Sequence, residues 1–309
     1  MSAEPIARRA GGTGLVFAIA AYGLWGFLPA YFLLLEPSSA WEVVAFRVLM
    51  SLAFCAVLLT VTRGWRGFLG LSRQPRVLFT MALAGALIYV NWQVFVIATL
   101  SGHVVEASLG YFINPVVTVA LGVVLLRERL RPLQWTAVGV SLVAILVIAI
   151  GYGAFPWIAL ALAASFGFYS FIKKRVGAQV DAVSGLTLET AWLTPVAIVQ
   201  LVITGAMVGV AFGSAGPVHV VLMIVSGVVT AVPLLLFAGA ARRLPLVALG
   251  LTQYLTPVLQ FLIGVFLLDE PMPTGRWIGF CLVWLALVLL TIDMIRAARA
   301  GRRASLPVA

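Results

Sequence analysis

Arg47 and Glu189 are ionisable residues set within apolar runs, and they lie 142 positions apart. A charge in hydrocarbon is expensive, so such a group faces a cavity, pairs locally or snorkels to the membrane edge. A guanidinium offers a fork that suits the oxygen pair of a carboxylate, which makes Arg47 a candidate for attracting an anionic group. Glu189 is a candidate proton carrier for a coupled step. So is Glu106, which opens another apolar run. Glu106 also has a plainer reading, as a carboxylate favoured by the positive end of a helix.

Pro115 and Pro257 share the same offset of 142 and fall near the middle of apolar runs. Each proline frees the carbonyl four residues earlier, at Tyr111 and Gln253. Polar neighbours or cavity water must satisfy it. Tyr111 and Asn114 surround the first proline, and Gln253, Tyr254 and Thr256 the second. The two prolines are either structural kinks or two walls of a central cavity. Asn91 and Gln93 flank Trp92 in a third run, and buried amides need partners. Tyr22 and Trp25 offer rings with polar tips. Tyr22, Trp25, Arg47, Asn91, Trp92, Tyr111, Asn114, Gln253 and Tyr254 are therefore the residues expected to line a substrate chamber.

The elements that carry these residues are apolar helices long enough to cross a bilayer. Of 309 residues, 63% are hydrophobic and only 10% charged, against about a quarter charged in a soluble domain. Crossing needs about 20 apolar residues. Spans are expected at 15–34, 41–61, 77–98, 104–126, 133–151, 155–172, 184–205, 218–240, 246–268 and 275–294. The Gly-Pro clusters at 151–156 and 213–217 divide the two longest uncharged runs. Arg8-Arg9 before an apolar run has the look of a signal peptide, but the run is longer than a signal core and holds Trp25 and Pro29, so a retained first helix is expected.

With the N-terminus in the cytoplasm, 18 of the 20 basic residues fall in inner loops and the two tails. That alternation fits the positive-inside rule for ten spans with both termini cytoplasmic. The tails are 1–14 and a basic 295–309. The net charge of +10 is spread over short loops, with no basic domain to hold nucleic acid. Cys55 and Cys281 fall in apolar spans, and His103 and His219 are isolated, so no metal ligand set is read. The phosphate-binding pattern GxxxxGK[ST] is missing, and no catalytic constellation stands out. No cofactor and no enzymatic activity are expected.

The two halves resemble each other without gaps. Pro115, Gly122, Leu125, Leu126, Glu128 and Trp135 match Pro257, Gly264, Leu267, Leu268, Glu270 and Trp277 at the offset of 142. Five spans per half is an odd number, so the second repeat, 155–294, must run upside down relative to the first, 15–151. The basic Arg127-Glu128-Arg129 loop and its acidic counterpart Asp269-Glu270-Pro271 agree with that. The expected fold is thus an all-α polytopic membrane protein, ten transmembrane helices as two inverted five-helix repeats. Such repeats underlie alternating access around a midplane site.

The stretch Ala20–Phe32, reading AAYGLWGFLPAYF, resembles the first helix of the RarD branch of the EamA transporters, within the drug/metabolite transporter superfamily. Glu106–Pro115, reading EASLGYFINP, is similar to that branch's most specific signature. Arg47, Asn91-Trp92, Leu188-Glu189-Thr190, Trp192 and Val232–Leu235 also match. The resemblance implies a ten-helix inverted-repeat fold in a bacterial inner membrane. It also implies a central cavity for a small organic metabolite or drug, with export the commoner direction. The functional expectation is a secondary transporter of a small, amphipathic, amino-acid-like solute, with Glu106 or Glu189 as the candidate proton carrier if transport is coupled. A passive channel and a membrane-embedded protein acting on lipid are the alternatives.

Overall fold

The computed structural model describes residues 4–126, 132–152, 155–176, 179–241, 243 and 252–304. Helices dominate these residues, and no strand occurs among them. The first is α1 (Glu4–Gly26), followed after a single residue by the short α2 (Leu28–Leu33). Next come α3 (Ala40–Val61), α4 (Trp65–Ser72), α5 (Pro75–Leu100), α6 (Val104–Leu126) and α7 (Pro132–Tyr152). The second half holds α8 (Trp157–Val176), α9 (Ala182–Met207) and α10 (Pro217–Ala241). It ends with α11 (Leu255–Leu262), which runs into a π-turn at Ile263–Leu267, and α12 (Thr274–Ala304).

Local chemistry sets these boundaries. Ser39 and Asp181 cap α3 and α9, their side chains accepting from the Glu42 and Ser184 backbone N–H groups at 3.2 and 2.9 Å. Prolines open α5, α7 and α10, where a missing N–H does no harm. Gly102, at φ +71°, closes α5, and His103 N–H reaches back to Ala98 O at 2.8 Å. Gly209, Gly213 and Gly216 all adopt positive φ in the turn before α10, a conformation that glycine reaches without strain.

Five helical stretches among the described residues are long and apolar enough to cross a membrane: 40–61, 75–100, 182–207, 217–240 and 274–293. Shorter apolar helices cover 13–26, 157–173 and 255–267. Large apolar side chains point outward along them, including Phe79, Val202 and Phe266. Water would not tolerate so wide an apolar surface, whereas lipid does. The first expected span is interrupted at Phe27, two residues before Pro29, so 15–34 is two helices in place of one. The loop expected after Val61 contains α4, with Trp65 and Arg66 at its start. Residues 246–251 of the ninth expected span, and the Arg127-Glu128-Arg129 loop, lie outside the described residues.

The offset of 142 reappears in the helices. Ala40 and Ala182 start α3 and α9, Pro75 and Pro217 start α5 and α10, and Pro132 and Thr274 start α7 and α12. The capping residues Ser39 and Asp181 keep the same spacing. Packing follows suit. α1 packs on α10 as α5 packs on α8, α3 on α10 as α5 on α9, and α1 on α11 as α6 on α8. The pairs α3–α9, α6–α11 and α7–α12 map onto themselves when the halves are exchanged. Gly85 and Gly227, again 142 apart, let these helices meet: Gly85 lies against the Glu189 backbone and Gly227 against the Met50 backbone.

Candidate solute cavity

A void of about 40 Å³ lies where α1, α2, α3, α5 and α6 meet α8, α10 and α11. It has room for a few water molecules. Of the residues expected to form a chamber, Tyr22, Trp25, Arg47, Asn91, Trp92, Tyr111 and Gln253 line it. Asn114 and Tyr254 do not: Asn114 is buried beside Gly167 of α8, and Tyr254 turns toward the aromatic cluster of Phe261 and Phe280. Leu28, Phe95, Phe166, Thr256 and Gln260 complete much of the wall, and sequence reading had not named them as lining.

The wall is built around broken helices. Pro29 has no N–H, so the Trp25 carbonyl loses its donor one turn on. Gln260 Nε2 supplies one at 3.2 Å, and Thr256 Oγ1 donates to the Tyr22 carbonyl at 2.7 Å. These bonds fasten the end of α1 to α11. Pro257 lies in the first turn of α11, directly after a turn at Tyr254, so the chain does break where a kink is expected. α6, in contrast, is assigned as helix straight through Pro115. Pro195 and Pro233 sit inside α9 and α10 and had not been read as kinks.

Aromatic rings edge the void. Trp25 meets Tyr22 at 5.6 Å and Phe166 at 6.1 Å between centroids, and Tyr111 bridges Phe95 and Phe166 at 5.7 and 6.0 Å. Asn91 is fully engaged. Its Nδ2 donates to Leu162 O and Ser165 Oγ at 3.2 and 3.1 Å, and its Oδ1 accepts from Tyr111 OH at 2.8 Å. It therefore ties α5 to α8 and α6 and holds the Tyr111 ring in place.

Arg47 is 2% exposed. Its Nε donates to Thr230 Oγ1 at 2.9 Å, and its guanidinium carbon lies 4.8 Å from the Phe32 ring centre and 4.9 Å from that of Trp92. Three buried polar atoms of lining residues lack a hydrogen-bond partner: Tyr22 OH, Arg47 Nη1 and Gln260 Oε1. Such atoms are costly in a closed interior unless something enters to meet them.

Glu189 does not reach this void. Its Oε1 accepts from Lys173 Nζ at 2.7 Å and its Oε2 from Tyr169 OH at 3.3 Å. Lys173 had not been singled out as its partner. Tyr31 occupies the position of Lys173 in the first half, and its hydroxyl donates to Leu222 O at 2.6 Å. Glu106 is also off the cavity; its carboxylate faces the backbone N–H groups of Ile158 and Ala159 at the start of α8. Glu270, in the turn before α12, takes the N–H groups of Val104 and Val105 at 2.6 and 2.9 Å and so caps α6. Burial pushes the Glu270 carboxyl up from its ordinary value, while those N–H groups, His103 and Arg276 pull it back. Among the described residues no group of three metal-ligating side chains occurs.

Known proteins resemble the chain over nearly its whole length. The profile of the EamA-like transporter family matches residues 12–150. A Streptomyces exfoliatus protein named RarD is 48% identical over 290 residues, 94% of this chain and 91% of that one. An uncharacterized transporter of Vibrio cholerae is 39% identical over 291 residues, 94% of this chain and 96% of its own. A solved crystal structure aligns with a TM-score of 0.63 at 19% identity, covering 91% of this chain and 98% of that one, a likeness of fold.

Proposed function

The chain belongs to the EamA-like transporter family as a RarD-like member, a multi-pass transporter of the drug/metabolite type in a bacterial inner membrane, and on that premise we propose that it is a secondary carrier working by alternating access. The carrier moves a small organic solute, amino-acid-like in size and polarity, outward through the cavity between two inverted five-helix repeats, 15–151 and 155–294. It crosses the bilayer ten times with both tails cytoplasmic. The observation that carries this reading is the void itself. It is walled by helices from both halves and ringed by aromatics, and three of its lining residues, Tyr22, Arg47 and Gln260, each carry a buried polar atom without a hydrogen-bond partner. Ligand sites are mostly apolar with a few convergent polar groups. The shared spacing of helix starts and the exchangeable packing pairs support the repeat.

The small void supports a cycle in which the wall parts to admit solute, since a space for a few waters is too small for an amino-acid-sized molecule. Glu189, buried and held by Lys173 away from the void, is the better placed of the two acidic residues for carrying a proton. Glu106, turned to the backbone of α8, fits a structural role. The test is solute flux in proteoliposomes. Saturable uptake, with counterflow driven by solute loaded inside, is the expected result. Flux that rises linearly with concentration and shows no counterflow would indicate a channel.

A further inference from the structure

The cavity has one strongly charged group and nothing described that neutralises it. Lys173 and Glu189 satisfy each other elsewhere, and among the described residues no carboxylate forms an ion pair with Arg47. A cation taken from water without a counter-ion is heavily penalised. Faces of Phe32 and Trp92 recover part of that penalty, and Thr230 fills Nε. Nη1 remains buried with no acceptor. The side chain is thus held beside two aromatic rings and at Nε, with a buried donor left over on a residue that lines the cavity. That is the preorganisation a recognition site needs, because little side-chain freedom remains to be lost on binding.

Resting on the transport reading above, we infer that Arg47 is the anion subsite of the cavity and that the solute it selects carries a carboxylate on an apolar body. The Nη1 donor and the positive charge take the carboxylate oxygens, and the aromatic rim takes the rest of the molecule. Phosphate esters fit less well: a dianion would leave a net negative charge beside one cation, in a cavity where no second basic residue lines the wall among the described residues.

Binding of acetate and of phenylacetate to the purified full-length protein, each compared with its amide, tests this by calorimetry at fixed chloride. Acetate suits the void as it stands, and phenylacetate requires the wall to part. A charge-assisted hydrogen bond is worth about 1.5–3 kcal/mol, so at least one carboxylate should bind about tenfold or more tightly than its amide. In Arg47→Gln that preference should fall below about threefold, with amide binding little changed, and Arg47→Lys should keep part of it because the charge stays. If Arg47→Gln does not fold, the wild-type comparison still decides, with a chloride titration as its second arm. Equal affinity for acid and amide, binding of neither, a preference that survives Arg47→Gln, or chloride binding without any carboxylate binding would each overturn the subsite. Loss of counterflow for every solute, with the carboxylate preference intact in binding, would overturn the carrier and leave the subsite standing.

Discussion

Lys173 and Glu189 should differ sharply when each is removed, because only one of them can reach water. Glu189 is 1% exposed, and Lys173 is 19% exposed. Lys173→Met strands a carboxylate in the interior with the Tyr169 hydroxyl at 3.3 Å as its remaining partner. Breaking a buried pair in this way costs about 3–5 kcal/mol, and the partial exposure of the pair puts the expected loss near about 3 kcal/mol. Glu189→Gln removes the negative charge and leaves an ammonium on a flexible stem that can turn to solvent, for about 1 kcal/mol. The double variant Lys173→Met/Glu189→Gln strands no charge, so it should resemble Glu189→Gln and regain about 2 kcal/mol relative to Lys173→Met. Reversible unfolding in mixed micelles, followed by tryptophan fluorescence, measures all four proteins. Additive losses, or a Lys173→Met variant as stable as Glu189→Gln, would refute the assignment of Lys173 as the counter-charge that keeps Glu189 buried.

Further outcomes follow from the same geometry. At Gly227 an added methyl would overlap the Met50 backbone carbonyl, so Gly227→Ala should destabilise by about 1–3 kcal/mol. At Gly85 the nearest atom would be Glu189 O at 3.2 Å, so Gly85→Ala should be close to neutral; thermal unfolding of the two variants checks the ranking, and a reversed order contradicts it. Glu270→Ala leaves the Val104 and Val105 N–H groups without their acceptor and should cost about 2 kcal/mol. Glu270→Gln should cost about half of that, since one amide oxygen remains, and equal losses in chemical unfolding would count against the cap. Glu189→Gln should abolish the response of solute flux to an imposed pH gradient while downhill counterflow persists; an unchanged pH response in proteoliposomes would remove Glu189 from coupling.

Much of the architecture is legible because hydrocarbon imposes strict rules. Runs without charge mark the helices, and the Gly-Pro clusters at 151–156 and 213–217 mark where the two longest runs divide. Arg47 and Glu189 stand out in sequence because charge is so rare there. Their surroundings do not. Thr230 is 183 positions from Arg47, and only packing of α3 on α10 brings them together. Lys173 reads as one of a basic inner-loop cluster, and the turn between α8 and α9 folds it back onto Glu189. Leu28, Phe95 and Phe166 could not be told from lipid-facing neighbours, because a helix apolar all round carries no stripe to mark its inner side. Gln253 and Tyr254 are adjacent at a helix break, and a break resets the phase that decides which of them faces the void. The interruption at Phe27 was within reach, since Pro29 announces it.

Halves laid out to one plan, with helix starts at a constant spacing, carry a thermodynamic consequence for the proposed carrier. Opening toward one compartment would use the same helix contacts as opening toward the other, with roles swapped. The two end states would then be nearly degenerate in free energy, separated only where counterpart side chains differ. Arg47 with Tyr31 against Glu189 with Lys173 is the sharpest such difference. Because about 1.4 kcal/mol shifts a population tenfold, a handful of side chains at such counterpart positions is enough to decide which way the empty protein faces.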